Sequence, residues 1–313
     1  MRALRAAGRV AAYAATALLA GGLAVRFTTR DSVAGLSAIY YATPWAVLST
    51  CALLPALLWV RRRRFFTAGG FALVFALCTA AWVKTAFRSA PDSRAKDFRV
   101  AYWNTGRPGG RVARSLAHIH AIDADIFGLG ETKRSRNPAT SEWADGLRGK
   151  NVLTLRRNML LVSREAASQV HDGFLNDRGQ YALTETQIRG RQVFVLLVDF
   201  DAIIAYSRKP AFDRLFQLID AIGDAPLIVM GDFNTPSDSV HFTELRKRMK
   251  SAFESAGSGY AKTWPMPLPV LDIDHIWVSR HFEIAACTHR TTFLSDHRAV
   301  FADLRWADGQ GLN

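Results

Sequence analysis

The stretch PLIVMGDFNTPSDS, residues 226–239, begins as a buried strand and ends in polar residues. Its apolar run LIVM, residues 227–230, is typical of a strand covered on both faces. After Gly231 the chain carries a carboxylate, Asp232, and two positions later a carboxamide, Asn234. Alone, this pattern fits an ordinary turn as well as a site, because Asp and Asn side chains bond their own backbone in turns.

Apolar strands alternate with helical patterns from residue 98 onward. Strands are predicted over residues 98–104, 125–129, 158–164, 181–190, 191–200 and 227–230, and within 270–279 and 297–306. Gly190 separates two of these strands, which is typical of a hairpin. Amphipathic helices are predicted from Val112, over residues 210–225 and near 242–253. The mixed order predicts an α/β class in which helices cover sheets.

Five of the predicted strands end, or are followed, by side chains that can bind a metal or a phosphate. These are Asn104, Glu131, Asp232 with Asn234, Asp274, and Asp296 with His297. Acids that converge on one edge repel each other unless a cation lies among them. Oxygen ligands with few nitrogens and no thiolates favour Mg²⁺ or a similar hard ion.

Five stretches, in this order, resemble the endonuclease/exonuclease/phosphatase superfamily of metal-dependent phosphoesterases. They are VAYWNTG (100–106), DIFGLGETK (125–133), IVMGDFNTPSDS (228–239), LDIDHIWVS (271–279) and LSDHRAVFADL (294–304). The resemblance covers about residues 98–305. It implies a four-layer α/β sandwich, in which two mixed sheets pack face to face between helices and the site lies at one edge.

The resemblance also implies a role for each matching polar residue. Glu131 would be the principal ligand of Mg²⁺ (or Mn²⁺), with Asn104 supporting it and Asp296 as a second carboxylate on the metal side. The other implied roles concern water and phosphate: Asp232 orients or deprotonates the attacking water, Asn234 holds that water or a phosphate oxygen, and His297 contacts the phosphate with its tautomer fixed by Asp274.

Two neighbours of Asp274 need separate interpretations. Asp272 in the same DID triplet is a rival for its role, in which case Asp274 would be a turn acid. His275 is predicted to pack in the core, and His118 and His120, near the end of a helical pattern, receive no role.

The strand ending near residue 200 departs from the family pattern. Many members carry a histidine there that contacts the phosphate, whereas this chain offers Asp199 and Asp201. An acid beside a phosphate is repulsive without a cation. The departure leaves two functions open. One is a phosphoesterase acting on nucleic acid or a phospholipid head group, and the other is a catalytically weak phosphoester-binding domain that keeps the fold.

The basic charge of the chain belongs to its first third. The whole chain has a formal charge of +13, but residues 97–313 hold 27 basic and 25 acidic residues. This charge balance gives no support for a strong nucleic-acid-binding field over the second part. Three apolar segments, residues 10–25, 33–60 and 65–83, are long enough or nearly long enough to span a membrane. A cleaved signal peptide is the alternative for the first.

These segments predict the organisation of the chain. Residues 1–86 form a membrane anchor with three transmembrane helices, 87–97 a linker and 98–313 the catalytic domain. Basic residues at 2–9 and 61–64 favour the cytoplasmic side, so the predicted protein is a multi-pass cell-membrane protein whose catalytic domain is extracytoplasmic. The three cysteines, Cys51, Cys78 and Cys287, offer no disulfide framework or metal site, and the sequence indicates no obligate protein partner.

Overall fold

The structure is a computed structural model that describes residues 2–89, 95–133 and 140–307. It divides into two compact units. The first comprises Met1–Phe87 with Ile203–Ser207, and the second comprises Arg88–Ala202 with Arg208–Asn313. The predicted linker contains the two-residue strand β1, Phe87–Arg88, while its residues 90–94 lie outside the described part of the chain.

Within the described residues, the first unit contains four helices. They are α1 (Arg2–Phe27), α2 (Leu36–Ala42), α3 (Trp45–Arg61) and α4 (Phe65–Ala86). Two stretches, Ala6–Phe27 and Phe65–Ala86, are long and apolar enough to cross a membrane. The predicted segment 33–60 is divided into α2 and α3, which are bent by 77° and count as a third span only if taken together. The break falls at Pro44, because proline disfavours helical backbone at the residue before it.

Close packing joins α1 to α3 in this unit. A Cβ on Gly22 would lie 2.8 Å from side-chain atoms of Leu48 and Thr43, so the helices approach where α1 has no side chain. Arg26, near the end of α1, is buried and donates from Nη2 to the Thr43 carbonyl oxygen at 3.1 Å. Its guanidinium also lies 4.3 Å from the centre of the Tyr40 ring. These contacts satisfy a charge that would otherwise be costly among apolar side chains.

The second unit contains the remaining strands and helices. The strands are β2 (Phe98–Asn104), β3 (Ile126–Gly130), β4 (Asn151–Thr154), β5 (Leu160–Ser163), β6 (Ala167–Phe174), β7 (Gln180–Ile188), β8 (Arg191–Asp199), β9 (Leu227–Asp232), β10 (Lys250–Ser251), β11 (Gly259–Tyr260), β12 (Asp274–Val278), β13 (Phe282–Arg290) and β14 (Ala299–Trp306). The helices are α5 (Val112–Ile122), α6 (Thr140–Gly146), α7 (Lys209–Ile222), α8 (Phe242–Arg248) and α9 (Ala252–Ala256).

Two six-stranded mixed sheets form the centre of this unit. One has the order β10-β12-β9-β8-β7-β6 and the other β13-β14-β2-β3-β5-β4. In each sheet one central pair is parallel, β8 with β9 and β2 with β3, and the other pairs are antiparallel. The parallel pairs matter for function because their strands end at the same edge.

Three hydrophobic clusters define the layers. The sheets face each other through one cluster that includes Val100 of β2 and Met230 of β9. Outside them, Leu215 of α7 packs in a second cluster with the β8–β9 sheet, and Ile119 of α5 packs in a third with the β2–β3 sheet. Helix, sheet, sheet and helix therefore form the predicted four-layer α/β sandwich, which the structure confirms.

The structure corrects the helix predicted near residues 242–253. Helix α8 ends at Arg248, and Lys250 and Ser251 pair with β12 as a short strand. Ser251 then caps α9, since its hydroxyl oxygen accepts from the Glu254 amide at 3.3 Å. A serine that bonds the backbone at a helix start competes with a continuous helix, and this local signal was missed.

Candidate active site

Three acids lie in a row across neighbouring strands at one edge of the β8–β9 sheet. Asp199 of β8 is the register partner of Asp232 of β9, and Asp232 is in turn the partner of Asp274 of β12. Gly231 permits this arrangement, because a Cβ there would collide with the carbonyl oxygen of Val198. The apolar run of β9 thus ends in a carboxylate held between two others.

The opposite sheet delivers its polar residues to the same region. Asn104 ends β2 beside Gly130 of the parallel strand β3, and Glu131 follows directly. The two sheets meet here through the Asn104 amide, whose Nδ2 donates to Asp232 Oδ2 at 3.1 Å. The buried phenol of Tyr102 is also affected by the acids that come together here. Its pKa is raised well above the ordinary value by burial and then by the charges of Asp232, Asp274, Asp199 and Glu131.

His297 lies buried between two of these acids. Its Nδ1 lies 2.9 Å and 3.1 Å from the two carboxylate oxygens of Asp274, and its Nε2 lies 3.9 Å from Asp232 Oδ2. Burial alone lowers the pKa of His297, but the charge and hydrogen bond of Asp274, followed by the charges of Asp232 and Asp296, raise it to about 10. The ring is therefore held as an imidazolium whose Nε2–H faces the edge near Asp232.

The Asp232 carboxylate is fixed by hydrogen bonds, but its negative charge is only partly compensated. Its Oδ1 accepts from the Asn234 amide at 2.8 Å, and its Oδ2 accepts from Asn104. Burial is the main reason that its pKa is raised to about 8, with the charges of Asp274 and Asp199 adding to the effect. His297 and the Asn234 amide only partly offset it. The carboxylate can therefore hold or accept a proton near neutral pH.

Asn234 shapes the turn that follows β9. Its backbone has a left-handed φ of 46°, and its Nδ2 donates to the Phe200 carbonyl at 2.8 Å. Arg208 donates to the Asn234 carbonyl at 3.2 Å. The first bond ties the turn after β9 to the end of β8, and the second ties it to the start of α7. Asn234 is therefore a turn residue whose backbone amide also binds Asp232. The two interpretations of the GDFN stretch are compatible.

Asp199 belongs to the acidic row. It accepts from Gln180 Nε2 at 2.8 Å, and Gln180 is its register partner on β7. Burial and the charge of Glu131 raise its pKa to about 6, although the Gln180 bond and two guanidinium groups oppose this shift. Asp201, two residues on, instead lies 4.0 Å from the Arg178 guanidinium. Gln180 was missed because its role depends on the β7–β8 register.

Glu131 forms an ion pair with Arg107. The Arg107 Nε lies 3.0 Å from Oε2, its Nη2 lies 3.1 Å from Oε1, and its backbone amide donates to the Glu131 carbonyl at 2.9 Å. Both residues have left-handed backbone, with φ of 48° at Glu131 and 55° at Arg107. Sequence reasoning missed Arg107, whose one signal is its place in a glycine-rich loop after Asn104.

Asp296 lies with Glu131 on the wall of a cavity of about 530 Å³. Its Oδ2 accepts from the Trp264 indole N–H at 3.1 Å. Trp264 also approaches His297, with ring centroids 6.5 Å apart. The structure thus places Asp296 beside Glu131 and Asn104 beside Asp232.

The residues fit a hard divalent cation. Atoms of Asp232, Asp274 and His297 that could act as ligands all lie within 4.8 Å of one another. We interpret the Asp274–His297 part as a hydrogen-bonded pair, because Nδ1 donates to the carboxylate. The remaining donors on this rim are oxygens, and burial, followed by the charges of neighbouring acids, raises the pKa values of Asp232 and Asp199. Carboxylate and amide oxygens in such a cluster of neighbouring acids are suitable ligands for Mg²⁺ or Mn²⁺.

The rival residues have other partners. Asp272 accepts from the Ser237 hydroxyl and lies 3.1 Å from Lys262 Nζ. Burial raises its pKa, but the charges of Lys262 and His275 and its hydrogen bonds lower it overall. His275 is buried, with Nε2 3.0 Å from the Thr235 carbonyl oxygen and its ring packed on Phe242. His118 packs against Trp103, and burial lowers its pKa to about 4.

A family model described as "Endonuclease/Exonuclease/phosphatase family" matches residues 101–297. No curated protein matches the chain. Among solved structures, an endonuclease/exonuclease/phosphatase from Bacteroides vulgatus is 18% identical with a TM-score of 0.57, and the match covers 68% of this chain and 100% of that one. A likeness at this identity shows the fold.

Two further solved structures share this fold and have named activities. A mannosyl-6-phosphatase from Bacteroides thetaiotaomicron is 16% identical with a TM-score of 0.53, covering 67% of this chain and 100% of that one. The 3′ phosphatase NExo from Neisseria, bound to a product DNA hairpin, is 19% identical with a TM-score of 0.53 and the same coverage.

Proposed function

The chain belongs to the endonuclease/exonuclease/phosphatase family, and from this premise we propose that it is a membrane-anchored, Mg²⁺-dependent phosphoesterase. It hydrolyses a phosphodiester or phosphomonoester by attack of water. One observation carries the proposal: a buried acid with a raised pKa, Asp232, lies 3.9 Å from the Nε2 of an imidazolium that Asp274 holds through Nδ1.

This geometry supports separate roles for Asp232, as a base, and for His297, as a hydrogen-bond donor. Asp232 takes the proton of the attacking water, since its carboxylate is fixed by the Asn234 amide and the Asn104 side chain. His297 donates its Nε2–H to a phosphoryl oxygen, which gains charge during the reaction. Asn234, whose backbone amide binds Asp232 Oδ1, orients the water or a phosphate oxygen.

Glu131, Asn104 and Asp296 are the residues that we assign to Mg²⁺ (or Mn²⁺). Bound there, the cation would neutralise the acids and stabilise negative charge on the phosphoryl group. Glu131 and Asp296 line one cavity, and Asn104 connects that side to Asp232. The cavity volume of about 530 Å³ exceeds what a single ion requires and leaves room for a phosphate.

The substrate is a nucleic acid or a phospholipid head group. Family relatives include a mannosyl-6-phosphatase and a 3′ phosphatase bound to DNA, so the fold accommodates both small and polymeric phosphoesters. The near-neutral charge of residues 97–313 and the attached apolar helices favour a lipid or small phosphoester over long nucleic acid. We assign the protein to the cell membrane, with the catalytic unit extracytoplasmic.

Asp199 supports a second candidate function. An acid with a pKa raised to about 6 occupies the strand end where many relatives have a histidine. A chain that binds phosphoesters but turns them over weakly would follow if this change removed an essential phosphate contact. The presence of the Asp232, Asp274 and His297 constellation favours the enzyme.

A panel of phosphoesters tests the two candidates. The full-length protein in detergent is incubated with a chromogenic diester, plasmid, sphingomyelin and inositol phosphates, in Mg²⁺, Mn²⁺ or EDTA. Turnover that needs the cation supports the enzyme and identifies the substrate class. Binding of these compounds without turnover under every condition supports the weak binding domain.

A further inference from the structure

The loop TGRPGGR, residues 105–111, connects β2 to α5 beside the candidate active site. Its backbone is unusual, because three of its residues, Gly106, Arg107 and Gly109, have positive φ. Left-handed backbone at a non-glycine residue is uncommon and is retained where surroundings impose it. Here the Arg107 amide bonds the Glu131 carbonyl, so the loop is tied to the residue that follows β3.

The loop leaves space where a phosphate could enter. It forms one wall of the cavity of about 530 Å³ whose other wall includes Glu131 and Asp296. A Cβ on Gly106 would lie 2.9 Å from Ser295 Oγ and 3.0 Å from Asp296 Oδ1. Gly106 therefore allows the loop to approach Asp296 closely. A Cβ on Gly109 or Gly110 would have no atom within 4 Å.

Two arginines, Arg107 and Arg111, line this cavity, and Arg107 forms the ion pair with Glu131. Both carboxylate oxygens are engaged by one guanidinium, at 3.0 Å and 3.1 Å. The side chains are 58% and 31% exposed, so water weakens the pair and the arginine can leave it at little cost. A planar guanidinium matches a phosphate as well as it matches a carboxylate.

We propose that Arg107 exchanges partners at this site: it neutralises Glu131 in the absence of a divalent cation and binds a phosphate oxygen when the cation takes Glu131. The inference rests on the proposed function for the identity of the cation and the phosphate. It explains why a loop arginine is fixed on an acid that the active site needs. It also supplies a positive charge near Asp199, on the side where the strand end carries an acid.

The exchange predicts that Arg107 and a divalent cation compete for Glu131. Mn²⁺ binding to the full-length protein in detergent is measured by electron paramagnetic resonance, without substrate. Arg107→Ala should bind Mn²⁺ about two- to fivefold more tightly than wild type, the range that an exposed ion pair supports. In the Glu131→Gln background, Arg107→Ala should give no such gain. Unchanged or weaker Mn²⁺ binding in the single variant would overturn the proposal.

A second measurement tests the phosphate contact. With saturating Mg²⁺, inorganic phosphate should bind Arg107→Ala at least about tenfold more weakly than wild type, as expected on losing a charge-assisted bond. Arg107→Lys should recover part of this loss, since it keeps the charge without the planar fork. Equal phosphate affinity in wild type and Arg107→Ala would also overturn the proposal.

Arg248→Ala is the matched control. Arg248 engages both carboxylate oxygens of Asp220, at 2.9 Å and 3.3 Å, with exposures of 30% and 58%. It pairs α8 with α7, away from the loop, and should leave Mn²⁺ and phosphate binding unchanged. Neither measurement needs turnover. A wild type that hydrolyses nothing, with both Arg107→Ala shifts present, would reject the proposed enzyme and retain this inference.

Discussion

Asp232 and Asp274 are register partners on neighbouring antiparallel strands, and the His297 ring lies against both carboxylates. Nδ1 is committed to Asp274 by the 2.9 Å contact, so Nε2 is the nitrogen available at the edge. The protonation of Asp232 and His297 is therefore linked, and removal of the Asp274 charge changes the proton affinity of both.

Stability without divalent cations should fall as pH rises. The folded-state pKa of Asp232 is raised from 3.8 to about 8, and that of His297 from 6.5 to about 10. For a raised pKa the stabilising contribution is full below the unfolded value and is lost as pH rises through the folded value. In EDTA the melting temperature should therefore decrease from about pH 5 to about pH 9.

Asp232→Asn provides the control for that pH dependence, because it removes one titrating group and lowers the pKa of His297. Its melting temperature should decline less over the same range. Added Mg²⁺ should flatten the wild-type curve, since a cation favours the ionised acids. A wild-type melting temperature that rises with pH would contradict the assigned pKa directions.

Asp274→Asn should alter the pH profile of turnover. The amide keeps a hydrogen-bond acceptor for Nδ1 but removes the charge that raises the pKa of His297. The imidazolium then loses its proton at lower pH, so the alkaline limb of the kcat/KM profile should shift to lower pH. Near pH 8 the rate should fall by about 10²–10⁴-fold. Initial rates across a pH series measure both effects.

Asp272→Asn is the matched comparison for Asp274→Asn. Asp272 is held by Lys262 and Ser237, so its loss should reduce stability and leave the alkaline limb in place. If Asp272→Asn moved the limb and Asp274→Asn did not, the assignment of the two acids would have to be reversed.

The ends of β2 and β9 could be predicted from the sequence to within two residues, because a strong apolar run precedes each end. Strand β2 ends at Asn104 as predicted, whereas β9 continues two residues past its predicted end and includes Asp232. The partners of these residues were less accessible. Arg107 reaches Glu131 only through two left-handed residues, and Gln180 reaches Asp199 only through the β7–β8 register. Such contacts depend on tertiary geometry, which periodicity does not encode.

Weakly patterned elements were missed for a related reason. Strand β6 is an edge strand with a largely exposed, polar sequence, ASQVHDGF, and therefore lacks an alternating signal. The break between α8 and α9 arises where Lys250 and Ser251 pair with β12. In both cases the partner strand, which is distant in sequence, decides the local structure.

Glu131→Gln should remove most Mg²⁺-dependent turnover and leave the fold intact. The side chain is 31% exposed and its ion pair is weak, so the melting temperature should stay near that of wild type. Loss of a charged ligand should weaken Mg²⁺ binding, and kcat should remain low even at high Mg²⁺. Rates across a Mg²⁺ titration, with melting curves on the same samples, measure this. Near-wild-type turnover at saturating metal would place the cation elsewhere.

The side of the membrane on which the catalytic unit lies should follow the number of crossings. Basic residues at 2–9 and 61–64 predict a cytoplasmic N-terminus and three crossings, which export the catalytic unit. The 77° bend between α2 and α3 also allows a re-entrant pair, which gives two crossings and the opposite side. Reporters fused after Asn313 should be active outside the cytoplasm. Activity confined to the cytoplasm would indicate the two-crossing topology.

Asp232→Asn tests the central assignment. Asn has the same shape, and its side-chain oxygen can still accept from the Asn234 amide, so the turn should persist. The new NH2 group cannot accept the Asn104 Nδ2 bond, but the variant also removes a buried acid that burial penalises when charged, so it should melt close to wild type at pH 8. If Asp232 takes the proton of the attacking water, hydrolysis of every accepted phosphoester should fall by at least about a hundredfold.

Asn234→Ala distinguishes the base from the turn that carries it. This change removes the bond from Nδ2 to the Phe200 carbonyl and places alanine at a φ of 46°, so it should lower the melting temperature as well as the rate. Asp232→Asn should lower the rate alone. Should Asp232→Asn remain fully active, or lose activity only together with its fold, Asp232 would be a turn residue and another group would have to activate the water.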